Sequence, residues 1–353
     1  MWSRLPRRMR GLATRLRRAD STIKPVCGEC KQGADFSYTG EWSYHPLILS
    51  LAETRECLCL VNRPGNAASF DGLKPWLRTA IQRARRWFRR VAFRADSKAY
   101  QRELLLLCEE EKAWFAVVME RFAGLQERAE TLPKCRWKRY TSVAQERRET
   151  PAGRPRRRRD RSRPRRARAR GYENLRTVGE EVAEFWYRPA WAPRPYRVAV
   201  KRQRVERSQG QESLFEECVY QFLISNIPKS EMDTRELVRY AYGRCDQENV
   251  IEQLKNGIAA MRMPTGELLA NGAFLKMGQL AWNLRAWLCL LGLPAEAGRW
   301  EWKRFRSARG GFVYVAARVV QQARRAVARL SSARRSADEI LAAWRRLHAL
   351  VFY

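Results

Sequence analysis

A single carboxylate stands between two cations in the stretch RCDQENVIEQLK, which runs from Arg244 to Lys255. If residues 236–261 form one helix, a turn of about 100° per residue places Arg244, Glu248 and Lys255 within about 40° of one another. Glu248 could then bind a metal ion while the two cations hold the oxygens of a phosphate. A solvated helix face with ordinary ion pairs has the same pattern, so this interpretation needs support from the rest of the chain.

The composition indicates a polyanionic partner. Seventy Lys and Arg residues against 37 Asp and Glu residues leave a formal net charge of +33 over 353 residues. This excess is far larger than solubility requires and predicts binding to nucleic acid. A hydrophobic content of 45% allows a sizeable core, so we expect one large domain or two to three smaller ones, not a disordered basic tail.

Other classes of site have weaker support. Nine cysteines lie mostly in apolar runs, which is typical of buried thiols in a cytoplasmic protein. Cys27 and Cys30 have the spacing of a zinc knuckle, but no second pair follows, and we expect no zinc. The most apolar stretch, residues 273–293, contains Lys276 and Arg285 and is not expected to span a membrane.

The first eighteen residues contain seven arginines and no acid, with apolar residues at helical spacing. The pattern is typical of a basic amphipathic helix on a phosphate or membrane surface, and it also resembles a transit peptide. Residues 11–18 lack the Val and Ile that a buried strand favours, so we expect a helix here as well.

Residues 44–119 predict a mixed sheet covered by helices. Apolar runs at 44–51 and 57–61 predict a hairpin, and residues 73–88 predict a helix capped by Ser69 or Asp71. A short strand at 91–95 ends at Asp96, and a helix through residue 108 precedes a buried strand at 113–119. An acid at the carboxyl end of such a strand is where these sheets place their chemistry.

Residues 120–232 read as a β-rich module that contains an Arg- and Pro-rich loop at 150–171. Eleven arginines and one acid between Pro151 and Arg170 could lie on phosphates, or the segment could be a plain linker. Trp186, Tyr187 and Trp191 could stack on unpaired bases, although packing within a small sheet is the more common role of such residues.

From residue 233 the chain is expected to be mostly helical. The pattern predicts helices at 236–261, 267–291, 311–330 and 337–353, with basic residues on many of their faces.

Taken together, these segments resemble one family. The resemblance lies in six segments: GECKQG beginning at Gly28, YHPL at Tyr44, LVNRPGN at Leu60, RADS at Arg94, VAEF at Val182 and the block from Arg244 through Gly257. Their order and spacing resemble the DDE transposases of bacterial insertion sequences with a Tyr-Arg-Glu-Lys signature. Arg244, Glu248 and Lys255 fit the last three signature positions, and the resemblance runs from about Asp20 to Leu330.

The resemblance implies an α/β fold with an RNase H-like mixed sheet flanked by helices, a β-rich insertion domain and a helical C-terminal region. The implied boundaries are a basic segment at 1–19, the first part of the catalytic core at 20–119, the insertion at 120–232, and the catalytic helix with the C-terminal region at 233–353. We expect a cytoplasmic, nucleoid-associated bacterial protein without a membrane anchor.

The resemblance also implies the site and its chemistry. Asp20, Asp96 and Glu248 would hold two Mg²⁺ ions, for which Mn²⁺ could substitute. With these ions the protein would cleave transposon ends and transfer the cut strands into target DNA. Arg244 and Lys255 would bind phosphates of double-stranded DNA, on which the protein could form a homodimer.

Two departures from the family shape the expectations. Ala241 stands where the family has its tyrosine, and Tyr240, the neighbour nearer the stripe on an ideal helix, is the predicted substitute for binding DNA phosphate. Only nineteen residues precede Asp20, where family members carry a longer region. We therefore expect a truncated copy that keeps the core of the fold but lacks full transposition activity.

Two other functions remain open from the sequence. The chain could be a noncatalytic basic protein that binds nucleic acid and uses its acids only to balance charge. It could also be an RNA-binding protein of ribosomal type, whose binding would ignore duplex ends and fall steeply with salt. Convergence of Asp20, Asp96 and Glu248 within the reach of a metal ion would favour the enzyme.

Overall fold

A computed structural model describes residues 14–52, 54–86, 88–142, 174–209, 212–242, 245–292, 315, 317–322, 325–330 and 336–349. The chain has a mixed α/β fold and divides into two compact units. The first unit comprises Met1–Ala92 and Cys245–Tyr353, and the second comprises Phe93–Arg244. The predicted loop at 150–171 lies outside the described residues.

The first unit opens with a three-stranded antiparallel sheet in the order β6-β5-β1, and a small sheet in the order β2-β4-β3 accompanies it. The strands are β1 (Thr14–Ser21), β2 (Lys24–Pro25), β3 (Asp35–Phe36), β4 (Trp42–Tyr44), β5 (Leu47–Leu51) and β6 (Cys57–Val61). The predicted hairpin at 44–61 is confirmed in β5 and β6. All five residues of β5 are buried, as a central strand requires.

The helix expected before Asp20 is wrong, because residues 14–21 form a strand. β1 pairs with β5 and sets Ala19 opposite Leu49 and Asp20 opposite Ile48. The ladder has an irregularity between Leu16 and Ala19. A neighbouring strand supplies backbone hydrogen bonds that no local pattern reveals, so tertiary pairing overrides the helical spacing of these residues.

The turn after β6 is built around Arg63 and Gly65. The buried guanidinium of Arg63 donates to four backbone carbonyls, those of His45, Ala68, Ser69 and Asp71, at 2.7 to 3.1 Å. Burial lowers the pKa of Arg63 to about 10. A Cβ on Gly65 would lie 2.2 Å from the carbonyl oxygens of both Asp35 and Ser43, so only glycine fits there.

Helix α1 (Leu73–Arg85) follows this turn and buries its apolar face, as the sequence predicts. The predicted cap is wrong. Gly72 occupies the N-cap position with a positive φ of 71°, and no side chain caps the helix, so neither Ser69 nor Asp71 serves there.

The second unit contains a six-stranded sheet in the order β7-β8-β12-β11-β10-β9. Its strands are β7 (Val91–Ala95), β8 (Trp114–Met119), β9 (Lys138–Arg139), β10 (Asn174–Tyr187), β11 (Tyr196–Gln209) and β12 (Glu212–Ser225). Its helices are α2 (Arg102–Glu110), α3 (Ala123–Glu130) and α4 (Thr234–Tyr242). The strands predicted at 91–95 and 113–119 are confirmed, and β12 of the predicted insertion pairs directly with β8.

The start of α4 is fixed by a network of charged groups. Asp233 and Glu236 form a reciprocal capping box, with bonds of 2.8 and 2.9 Å. Glu184 accepts hydrogen bonds of 2.7 Å from both Arg197 and Thr234, the first residue of the helix. Arg197 also donates to the carbonyl of Met232 at 2.8 Å.

The chain then returns to the first unit. It forms α5 (Cys245–Glu252), a π-helical turn (Gln253–Gly257), α6 (Leu268–Trp287) and a second π-helical turn (Leu288–Gly292). The last elements are β13 (Ala317–Gln322), β14 (Arg325–Leu330) and α7 (Ser336–His348). A buried cluster joins the β5–β6 hairpin to α5 and α6 and includes Ile48, Leu60, Val250, Leu254, Leu275 and Trp282.

Two helical predictions in this region need correction. The helix expected at 236–261 is α-helical only in part, because a π-helical turn (Gln253–Gly257) follows α5 and the helix does not continue to residue 261. Residues 243 and 244 lie outside the described residues. The helix expected at 311–330 is wrong, since 317–322 and 325–330 form two antiparallel strands in which Val320 pairs with Val327. The helix expected at 267–291 is confirmed in α6, and the one expected at 337–353 is confirmed in α7 as far as His348; residues 350–353 lie outside the described residues. Within the described ranges, no helix combines the length and apolar character needed to cross a bilayer.

Candidate active site

Asp20 lies at the end of β1 in the first unit. Its neighbour Ala19 is fully buried, whereas Asp20 itself is only partly buried. One carboxylate oxygen of Asp20 accepts a 2.9 Å hydrogen bond from the backbone N–H of Ser21. A carboxylate at this end of a strand paired to β5 is held by the sheet and still has access to solvent.

Glu248 lies on α5, which packs against β1 within the same unit. The buried side of this helical segment carries Val250 and Leu254, which are 1% and 0% exposed and belong to the core. Glu248 is exposed. The first unit therefore places the helix that carries Glu248 beside the strand that carries Asp20 near its end.

Lys255 connects the turn that follows α5 to the segment that follows β1. Its ammonium group donates a 3.0 Å hydrogen bond to the carbonyl of Ile23, three residues after Asp20. Lys255 belongs to the π-helical turn, a local distortion that is frequent at functional sites. Burial, and then the charge of nearby Lys24, holds the pKa of Lys255 below its usual value, while Glu41 acts in the opposite direction.

Asp96 lies in the second unit, directly after β7. It caps the short 3₁₀ turn Ser97–Ala99, and its carboxylate accepts a 3.2 Å hydrogen bond from the N–H of Lys98. The side chain of Lys98 forms a 2.9 Å ion pair with Glu120, which follows β8. The carboxyl ends of β7 and β8 therefore share one edge of the sheet, with Asp96 at that edge, as the sequence predicts.

Tyr240, the predicted substitute for the family tyrosine, is buried, with 6% of its surface exposed. Arg94 of β7 donates to the carbonyl of Tyr240, and its guanidinium carbon lies 5.0 Å from the centre of the tyrosine ring. The neighbouring Tyr242 is half-buried, with the ammonium of Lys201 5.8 Å from its ring centre. Arg244 lies outside the described residues.

The aromatic residues proposed for base stacking differ in their exposure. Trp186 is 68% exposed. Tyr187 packs against Phe122, and Trp191 packs against Tyr100 and Tyr196. Only Trp186 of the three therefore presents most of its surface to solvent, and its stacking on bases stays a prediction.

The carboxylates supply the oxygen donors that Mg²⁺ prefers, and Asp20 and Glu248 stand on adjacent elements, so the donor set fits a divalent cation in kind. In the part of the chain that the structure describes, no three His, Cys, Asp or Glu side chains form a group able to hold a metal ion. The two cysteines of the possible zinc knuckle, Cys27 and Cys30, are exposed free thiols. Joint binding of one ion by Asp20, Asp96 and Glu248 stays a prediction.

The comparison with known families decides the class of the protein. Residues 19–352 match the sequence profile described as "Transposase DDE domain group 1". The chain belongs to this family. No curated protein matches it significantly. Membership of this DDE transposase family implies a DNA substrate and suggests transposition, and the matched region includes Asp20, Asp96 and Glu248.

Sequence reasoning did not assign a role to Arg94. The signal was available, because VAFRA places one cation inside an otherwise apolar strand, two residues before Asp96. A buried cation in such a strand requires a specific partner, which the sequence does not identify. In the structure that partner is Tyr240 on α4.

Proposed function

We propose that this DDE transposase cleaves the phosphodiester backbone at transposon ends and transfers the cut strands into target DNA. The observation that carries the proposal is the packing of α5, which bears Glu248, against β1, which bears Asp20 near its end. These are two of the three carboxylate positions that the family resemblance implies. Asp96, at the carboxyl end of β7, is the proposed third.

The finer assignments rest on the same resemblance. We assign the chain to the bacterial insertion-sequence transposases with a Tyr-Arg-Glu-Lys signature and an RNase H-like core. The β6-β5-β1 sheet of the first unit and the helix-linked β7 and β8 of the second support such a core. Action as a homodimer on DNA in the bacterial nucleoid belongs to the same proposal.

Asp20, Asp96 and Glu248 would hold two Mg²⁺ ions, or Mn²⁺ in their place. When bound, such ions activate the attacking oxygen and stabilise the leaving oxygen of an in-line displacement. Lys255, and Arg244 by sequence position, would bind phosphate oxygens beside the reacting bond. The 3.0 Å bond from Lys255 to the carbonyl of Ile23 keeps one cation next to the end of β1 before DNA arrives.

The test is cleavage of a plasmid that carries the DNA flanking the gene for this protein. Wild-type protein should nick it only with Mg²⁺ or Mn²⁺. Glu248→Gln should lower the nicking rate at least about 100-fold, since loss of even outer-shell partners of a metal costs about 10- to 100-fold. Glu252→Gln alters a carboxylate one turn along α5 and should nick like the wild type.

A noncatalytic DNA-binding role is the second candidate, favoured by the net charge of +33. That role predicts tight, salt-dependent binding of duplex DNA without metal-dependent nicking. Nicking that is absent from the wild type at every metal concentration would favour this second function, whereas nicking that persists in Glu248→Gln would count against the role assigned to Glu248.

A further inference from the structure

Strands β13 and β14 form a separate two-stranded antiparallel sheet in the first unit, which we call the β13–β14 ribbon. The two strands, of six residues each, contain three arginines and no acidic residue. Arg318 lies directly opposite Arg329, and Arg325 pairs with Gln322, four residues after Arg318 on β13. Residues that lie opposite each other, and residues two or four apart in one strand, share a face of the sheet. All three arginines therefore lie on one face of the ribbon.

The two faces of the ribbon differ sharply in charge. The face opposite the arginines carries no charged residue and consists of Ala317, Val319, Gln321, Ala326, Ala328 and Leu330. Arg318, Arg325 and Arg329 are all exposed. Like charges directly opposite each other destabilise an antiparallel pair, and a phosphate bound by both Arg318 and Arg329 would offset that repulsion. The arrangement therefore favours an anionic partner on this basic face.

The spacing of the arginines fits the major groove of B-DNA. Arg318 and Arg325 are separated by four residue steps along the ribbon, which is about 14 Å at the rise of an antiparallel strand. The major groove is about 12 Å wide and admits a two-stranded β-ribbon. A ribbon that crosses the groove would bring Arg318 and Arg329 to the phosphates of one strand and Arg325 to those of the other.

The residues between the arginines indicate that such binding does not depend on base sequence. Val320 and Val327 pair with each other on the basic face, between its two ends. Neither side chain can donate or accept a hydrogen bond, so neither reads the polar edge of a base. Phosphate contacts alone position a protein on the duplex without sequence information.

We propose that the basic face of the β13–β14 ribbon binds duplex DNA of any sequence by bridging the two phosphate backbones across the major groove. This inference rests on the proposed transposase function, because it assigns a surface to the DNA of that reaction. The ribbon has no part in metal binding or in cleavage itself.

The test measures binding of the full chain to a random-sequence DNA duplex, without metal, over a salt series. It compares Arg318→Gln/Arg325→Gln with a matched control, Arg345→Gln/Arg346→Gln. The control removes the same charge from two exposed arginines of α7. Adjacent residues of a helix point about 100° apart, so this pair cannot bridge a groove.

Arg318→Gln/Arg325→Gln should weaken binding about 10- to 60-fold at about 0.1 M salt. The slope of log affinity against log salt should fall by about 1.8, because each lost phosphate contact contributes about 0.9. Arg318→Lys/Arg325→Lys keeps both point charges and should recover most of the affinity. The control should keep the wild-type slope to within about half a counterion.

Duplex RNA of the same sequence separates groove binding from general charge attraction. The major groove of A-form RNA is deep and too narrow for side chains to enter. Arg318→Gln/Arg325→Gln should therefore bind duplex RNA as the wild type does, while its affinity for duplex DNA falls.

Hydrogen exchange of the amides at 317–322 and 325–330 shows directly whether DNA covers the ribbon. Without DNA, exchange should be the same in Arg318→Gln/Arg325→Gln and the wild type, and DNA should slow it in the wild type. Equal losses of affinity in this variant and the control, equal losses on RNA and DNA, or exchange that DNA does not slow would each overturn the role of the ribbon. A wild-type protein that binds DNA through the ribbon but never nicks it would instead overturn the proposed cleavage.

Discussion

Glu184 is the centre of the network that fixes the start of α4, and its removal gives the most quantitative prediction. Burial alone would raise the pKa of Glu184, but hydrogen bonds from Lys229, Thr234 and Arg197 outweigh burial and lower the pKa from 4.5 to about 2. At about 1.4 kcal/mol per pKa unit, this difference corresponds to about 3 kcal/mol of stability at pH 7. Glu184→Gln should lose an amount of this order.

The same pKa fixes the pH dependence of the loss. A carboxyl group whose pKa is depressed by folding stabilises the protein above its unfolded pKa of about 4.5, and this stabilisation is lost as the pH falls toward 2. The difference in unfolding free energy between the wild type and Glu184→Gln should therefore shrink to less than half its neutral value at about pH 3. Denaturant unfolding of both proteins at pH 7, 5, 4 and 3 measures it.

A matched variant separates the network from general surface charge. The side chain of Lys229 is 64% exposed, whereas that of Arg197 is 4% exposed. Lys229→Ala should therefore cost no more than about 1 kcal/mol, in the range of exposed ion pairs. A loss below about 0.5 kcal/mol for Glu184→Gln at pH 7, or a loss that does not change between pH 7 and pH 3, would refute the reasoning.

Three further changes test other parts of the molecule. Lys255→Gln removes a charge but keeps a donor for the carbonyl of Ile23. Binding to transposon-end DNA should therefore weaken, and the salt dependence of the binding constant should fall by about one released counterion. Gel shifts over a salt series measure both. Gly65→Ala should destabilise the protein by at least about 2 kcal/mol in thermal unfolding, because the new Cβ would meet two carbonyl oxygens. Gly272 of α6 has open space around it, so Gly272→Ala should stabilise the protein by up to about 1 kcal/mol. Arg63→Lys should lower the free energy of unfolding by about 2 to 3 kcal/mol in denaturant unfolding, since an ammonium group cannot reproduce the planar guanidinium that reaches four carbonyls. A loss below about 1 kcal/mol would contradict this account of the turn.

The sequence predicts the elements whose apolar runs are bounded by turn residues. The β5–β6 hairpin, β7 and β8 all have this character, and each lies where its pattern predicts. α6 and α7 are confirmed for the same reason, since long apolar periodicity is the strongest local signal. The mixed α/β class follows from the alternation of these elements, while the RNase H-like core and the domain boundaries stay predictions.

Strands that depend on a distant partner could not be predicted locally. Residues 14–21 contain three arginines and helix-compatible spacing, yet they pair with β5, about thirty residues later in the chain. Residues 317–330 are rich in Ala, Arg and Gln, which favour helices, yet 317–322 and 325–330 form paired strands. In both places cross-strand pairing outweighs intrinsic propensity, and only the folded chain reveals the partner.

In the candidate site, too, some features follow from local sequence patterns and others appear only in the folded chain. Asp96 lies at the strand end where its pattern places it, and the helix of Glu248 contacts the strand of Asp20. The assumption of one regular α-helix from 236 to 261 failed, because Lys255 lies in a π-helical turn. The contact between Arg94 and Tyr240 joins residues 146 positions apart, a separation at which no periodicity in the sequence carries information.

The most direct test of the central claim is metal-directed cleavage of the protein itself. Fe²⁺ bound in place of Mg²⁺, with ascorbate and peroxide, cuts the backbone next to the groups that hold it. We predict fragments that end near Asp20, Asp96 and Glu248, suppressed by excess Mg²⁺ and lost in Glu248→Gln. Cuts near Asp20 and Glu248 without any near Asp96, or cuts that Mg²⁺ does not suppress, would contradict a shared three-carboxylate metal site.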